Sequence, residues 1–227
     1  MRTPLIRITL GILTILFTAW MLTGSAAAAT ARLADWNFNL DGTMVIAANG
    51  HPLPQGTVLD PYGMGTFTFT AHTTGPHFFI AGLDYDIKET GNTENNELGH
   101  VHGSPLPGQS WEINQSVYSS GTLLHHIRDN GLDNENHTGW DNLVDTALAI
   151  GWEFTLDAGE TAVISFITSL DAPETGFYLS QMDGATEEVF YFSSTLSIYG
   201  SPVPEPGTGF LLGISLLAAA GLGRQRR

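Results

Sequence analysis

An antiparallel β-sandwich of about nine strands is the fold this sequence predicts, on three observations. Apolar side chains recur at every second position through much of residues 30–200, the period of a strand with one buried face. Clusters of Gly, Pro, Asn, Asp and Ser break these runs at short intervals. No stretch of that region carries a convincing amphipathic helical period, and no internal repeat suggests a solenoid or propeller. Short strands with one apolar face each must bury that face against a second sheet.

The strand candidates, in order, are 43–48, 66–70, 78–87, 111–118, 122–128, 148–156, 161–169, 176–182 and 188–198. Phe67 and Phe69 alternate with threonines in 66–70. Leu148, Ile150, Trp152, Phe154 and Leu156 share one face of 148–156, with Ala149, Gly151, Glu153 and Thr155 on the other. Ala162, Ile164 and Phe166 line one side of 161–169, and Phe190, Phe192, Leu196 and Ile198 one side of 188–198. "LDAGET" at 156–161 reads as a hairpin with Ala158-Gly159 at its tip. "TTGPH", "SSGT", "DAPETG" and "QMDGAT" mark further turns. Two long polar insertions, 88–110 and 129–145, interrupt the pattern, and insertions of that length are where function is sought first.

Both ends differ from this body. Residues 1–29 have Arg2 and Arg7, an apolar run from Ile8 to Leu22 and then an alanine-rich stretch. That is the layout of a secretory signal peptide, with cleavage expected after Ala28 or Ala29. The body is expected to span 30–200, and 201–227 forms a distinct tail. In the tail an apolar run from Phe210 to Leu222 precedes Arg224, Arg226 and Arg227. Taken as a helix, 207–223 would be ~25 Å long, a short membrane span with a basic stop on the cytoplasmic side.

Charge narrows the function classes. The chain has 8 basic and 23 acidic residues, a formal net charge of −15. Five of the basic residues lie at the extreme ends, and the body keeps only Arg32, Lys88 and Arg128. Such a polyanion offers no footprint for nucleic acid and repels anionic lipid head groups. With no cysteine there is neither a disulfide nor a thiolate metal site. An exported body must then be held by its core, which about 170 residues can supply.

The tail resembles a specific family. Val203-Pro204-Glu205-Pro206, a short apolar helix and an arginine cluster, in that order and paired with a signal peptide, resemble the PEP-CTERM sorting signal. The resemblance covers about 25 residues. It implies export by a Gram-negative bacterium that makes exopolysaccharide, and an exosortase in the inner membrane that recognises and processes the tail. Pro204 and Pro206 suit that role, because each fixes φ and keeps its predecessor out of the helical region. The result is an extended strip beside the bilayer, with Glu205 as the charge to be read. Segments of the body also look like those of other proteins bearing this signal, for which no activity is implied.

Catalytic constellations are not evident. His100 and His102 have an HxH spacing, but the cupin pattern wants a carboxylate where Leu106 and Pro107 stand. Asp84 and Asp86 share a strand face about 7 Å apart, a separation seen in glycosidases and equally in any polar outer face. No Gly-x-Ser-x-Gly elbow occurs. Asp129, Asp133, Glu135 and Asp141, among four asparagines, have the hard oxygen donors that suit Ca²⁺. The EF-hand pattern fails there, since Thr138 and Val144 occupy its glycine and glutamate positions, so the plainer reading is a solvated acidic loop. Trp36, Trp111 and Trp140 could stack on sugar rings, with Trp140 the leading candidate because it lies in the acidic loop. His125 falls with Leu123 and Ile127 and is expected half-buried. The expectation is therefore a non-enzymatic exported protein of the cell surface or matrix, associated with exopolysaccharide or biofilm. The alternative is a carbohydrate- or calcium-binding module acting outside the cell.

Overall fold

A computed structural model describes residues 31–87, 95–115 and 122–200. The expected signal peptide and the whole of 201–227 lie outside the described residues. Eleven strands are found among those described, two more than expected: β1 Ala31–Leu40, β2 Thr43–Ile46, β3 Val58–Leu59, β4 Gly65–Ala71, β5 Gly75–Ile87, β6 Glu97–His102, β7 Gln109–Gln115, β8 Thr146–Leu156, β9 Glu160–Ser169, β10 Tyr178–Asp183 and β11 Val189–Gly200. They form two antiparallel sheets, ordered β2-β1-β5-β8-β7 and β3-β4-β9-β11-β10-β6. No described helix is long and apolar enough to cross a membrane.

The inward faces meet in an aromatic layer. Phe38, Leu83, Tyr85, Ile113, Leu148, Ile150 and Trp152 come from the first sheet, and Phe67, Phe69, Ile164, Phe166, Phe190 and Phe192 from the second. Rings interlock between the sheets, with centroids 5.3 Å apart for Phe38–Phe67 and 4.2 Å for Tyr85–Phe190. Such pairs add specificity to the area they bury. Tyr85 also anchors its hydroxyl, which donates to the Gly63 carbonyl at 2.6 Å.

Three expectations are corrected. The segment 122–128 is not a strand: Leu123–Arg128 is a short helix, α1, with Leu123, Leu124 and Ile127 buried and His125 half-buried. Leu123 and Ile127 are four apart, and that spacing satisfies a period of 2 and of 3.6 alike. The 156–161 turn is not a hairpin. It does reverse the chain, with Gly159 at φ +86° and the Glu160 N–H donating to the Asp157 carbonyl at 3.1 Å. But β8 and β9 belong to different sheets, so the turn crosses the sandwich. Finally, β1, β3 and β6 were not expected. A bulge after Leu33 shifts the inward phase of β1 from Ala31 and Leu33 to Trp36 and Phe38, which destroys the simple alternation.

The outer face of the first sheet is covered as well. Ile80, Ala147 and Ala149 pack with Leu123, Ile127 and Leu132 in a second small core. The small residues of β8 on that face are what let a helix lie so close. A Cβ added at Gly82 of β5 would come 2.3 Å from the Ile127 side chain. Asn39 fastens the end of α1 by donating from Nδ2 to the Ile127 and Arg128 carbonyls at 2.7 and 3.0 Å.

Phe166, fully buried between the sheets against Phe69 and Phe192, has no room to be lost. Phe166→Ala is expected to destabilise the protein by about 3–5 kcal/mol, read as a lowered midpoint in urea denaturation.

Candidate functional site

The 129–145 insertion runs along the seam where the edge of each sheet is open, between β7 and β6. Its first part is stitched to β7. The Ile113 N–H donates to the Glu135 carbonyl at 3.1 Å, and the His137 N–H to the Ile113 carbonyl at 2.8 Å. Asn134 accepts from the Trp111 N–H at 3.0 Å. The same stretch reaches β6: Asn136 Nδ2 donates to the Gly99 carbonyl and the Gly99 N–H to Thr138 Oγ1, both at 2.8 Å. Further on, Val144 and Glu97 exchange backbone hydrogen bonds at 3.1 Å. The two polar insertions of the sequence therefore meet along this seam, because β6 itself arises within the first.

The far end of the loop is anchored by a buried carboxyl. Glu97 accepts from the Ile87 N–H at 3.2 Å, the Thr146 N–H at 3.1 Å and Gln181 Nε2 at 2.5 Å. Burial pushes its pKa up to about 9. The bonds from Thr146 and Ile87 oppose that rise, and the charges of Asp84 and Asp145 add to it.

The near end gathers ionisable groups from three elements. Glu112 of β7 is fully buried on the outer face, under α1. Its two carboxylate oxygens lie 2.9 and 2.7 Å from His126 Nδ1 of α1, and Asn114 Nδ2 donates to it at 2.9 Å. Asp133 sits beside it in the loop, with Oδ2 2.7 Å from His137 Nε2. Its Oδ1 accepts from the Glu135 N–H at 2.9 Å, which fixes the turn. Donor atoms of Glu112, Asp133 and His137 all lie within 4.8 Å of one another.

Of the four expected calcium ligands, Asp133 is in this group, and Asp129, Glu135 and Asp141 are not. Asp129 caps the end of α1 through its backbone, and Glu135 serves β7 through its carbonyl. Trp140 and Asp141 occupy the tip of a turn closed by Gly139 and Asn142, with Trp140 60 % exposed. Trp36 is buried in the core, and Trp111 packs beside Phe177 with ring centroids 6.3 Å apart, so Trp36 offers no face to a sugar. Glu112, His126 and His137 are the residues that sequence reasoning passed over. The density of polar residues in 133–137 is visible in the sequence, but its partner in β7 is not.

The remaining candidates are placed as follows. His100 and His102 lie on β6, with His102 stacked on Tyr178 at 4.5 Å and Nε2 2.9 Å from Ser180 Oγ. Asp86 pairs with Arg32 at 3.2 Å across β1 and β5, and Tyr85 and Leu83 point inward. A cleft of about 570 Å³ on another part of the body is lined by Asp41, His77, Phe78, Asn130, Glu153 and Phe154 among others. His77 is a structural pin there. Its Nε2 meets the Thr73 carbonyl and its Nδ1 meets Asp41 Oδ2, both at 2.7 Å. The Thr73 carbonyl, then Asp41, raise its pKa against burial. Both ring nitrogens are thus engaged with oxygen atoms of neighbouring residues, which holds the ring in place.

The fold and this seam define an all-β, two-sheet protein with a polar loop closing one side. Residues 202–227 match the family model of the PEP-CTERM protein-sorting motif. No curated protein and no solved structure matches the chain. The motif covers Val203, Pro204, Glu205, Pro206 and the Arg224, Arg226 and Arg227 cluster, all outside the described residues. It implies processing by an exosortase, and export with membrane-associated sorting in a Gram-negative bacterium.

The Glu97 anchor has a pH signature. A carboxyl whose pKa is about 9 in the fold, against an ordinary 4.5, binds its proton more tightly when folded. Its stabilising contribution is complete below about 4.5 and is lost as pH rises through about 9. Urea midpoints measured at pH 5 and pH 9 are expected to fall more steeply with pH in the wild type than in Glu97→Gln. Parallel slopes would remove the buried carboxyl from the account.

Proposed function

We propose that the chain is a non-enzymatic protein of the cell surface or extracellular matrix, exported with its two-sheet body outside and released from the membrane at its tail by an exosortase. The observation that carries this reading is the tripartite tail at 202–227. The composition of the body supports it. Residues 30–200 have no cysteine and carry 22 acidic residues (23 less Glu205) against 3 basic ones, a polyanion that keeps clear of nucleic acid and anionic lipid. It can associate with exopolysaccharide or biofilm matrix through polar loop surfaces, of which the exposed Trp140 turn offers one stacking face.

The proline–glutamate–proline strip is the handle. Pro204→Ala combined with Glu205→Ala is expected to block processing and leave a full-length, membrane-bound form. Mass measurement of the C-terminus of the mature protein checks this. Equal processing of variant and wild type would overturn the assignment of the strip as the recognised element.

A further inference from the structure

We propose that the β7–α1–loop junction is a binding site for one divalent transition-metal ion of the zinc class, held by Glu112, Asp133 and His137. The proposal stands on the geometry of the body and does not depend on how the tail is processed.

Three features carry it. The donors come from segments twenty or more residues apart in sequence, yet converge within 4.8 Å. Ligands around a tetrahedral zinc ion with bonds of ~2.0–2.1 Å stand roughly 3.3 Å apart, so modest side-chain rotation closes the set. Second, the donor set mixes two carboxylates with an imidazole. Imidazole suits Zn²⁺ and its neighbours in the first row, whereas Ca²⁺ takes oxygen donors alone. Third, among the described residues no lysine or arginine pairs with the buried Glu112 or with Asp133; their ion-pair partners are the imidazoles of His126 and His137. A bound dication compensates both carboxylates.

The surroundings are preorganised for it. His126 Nδ1 and Asn114 Nδ2 orient the Glu112 carboxylate, as outer partners orient metal ligands elsewhere. Asp133 and His137 are held in place by the backbone bonds that tie 134–137 to β7 and by Asn142 Nδ2, which donates to the His137 carbonyl at 3.0 Å. Three protein ligands leave at least one coordination position to solvent. Asp133 and His137 are about one-third exposed, so the ion has a path in.

The test is calorimetric titration of the purified full chain, stripped with a chelator, with Zn²⁺ and in parallel with Ca²⁺. One equivalent of Zn²⁺ is expected to bind and to raise the melting temperature, with Ca²⁺ much weaker. His137→Ala and Asp133→Asn change partly exposed side chains and should fold, and each is expected to weaken Zn²⁺ at least about tenfold. His126→Gln, acting through Glu112, is expected to weaken it about 10–100-fold while leaving the stoichiometry at one. His100→Ala, in the other histidine pair, should leave affinity unchanged. No Zn²⁺ binding by the wild type, unchanged affinity in His137→Ala, loss of binding in His100→Ala, or tighter binding of Ca²⁺ than of Zn²⁺ would each overturn the proposal.

Discussion

Unpaired strand edges are what the architecture must answer. β7 ends the first sheet and β6 ends the second, and on that side neither has a further strand to receive its backbone groups. An open edge is both an unsatisfied ladder and a template for aggregation. The 129–145 segment covers both edges with hydrogen bonds to Trp111, Ile113, Gly99 and Glu97. The loop is thereby ordered, and it is fixed against the strands it covers. The acidic group at Glu112, the buried Glu97 and the protruding Trp140 turn all follow from that one closure.

The same closure explains why α1 exists. Covering the outer face of the first sheet requires apolar groups above Ala147, Ala149 and Ile80, and a single helical turn supplies Leu123 and Ile127. The helix in turn roofs Glu112, which as an outward residue of β7 would otherwise be wet. Burial of this carboxylate is thus a tertiary effect, and its hydrogen-bond partner His126 comes from the element that buries it.

Much of the fold was legible because one-sided burial writes itself as alternation. β9 and the first half of β11 follow it closely, with Ile164, Phe166, Phe190 and Phe192 in, whereas β5 and β8 are buried on both faces over Phe79–Leu83 and Thr146–Trp152. Alternation fails where the sequence or the geometry departs from it: at the β1 bulge, in β6, where Glu97 and Gly99 take buried positions, and in α1, where a spacing of four fits two periods. Turn residues declared the reversal at 157–160 but not which sheet the chain would enter next, since that depends on which neighbours remain unpaired. For the site, composition alone drew attention to the loop, and Asp133 lies in the group that formed. Glu112 stood between Trp111 and Ile113 as an ordinary outward strand residue, and nothing local distinguishes it. Its importance comes from long-range contacts. The tail was the opposite case, since its order of proline, acid, apolar run and arginines is carried wholly by local sequence.

β11 stays paired to the very end of the described body. Its last residue, Gly200, is still paired, opposite Glu160, and Val203 follows three residues later. Three residues reach at most about 11 Å when fully extended. The matched motif begins at residue 202, so a single residue separates it in sequence from a strand that is still paired. The end of the body is therefore the Gly200–Glu160 pair, beside the Asp157–Glu160 crossing that carries the chain from one sheet to the other.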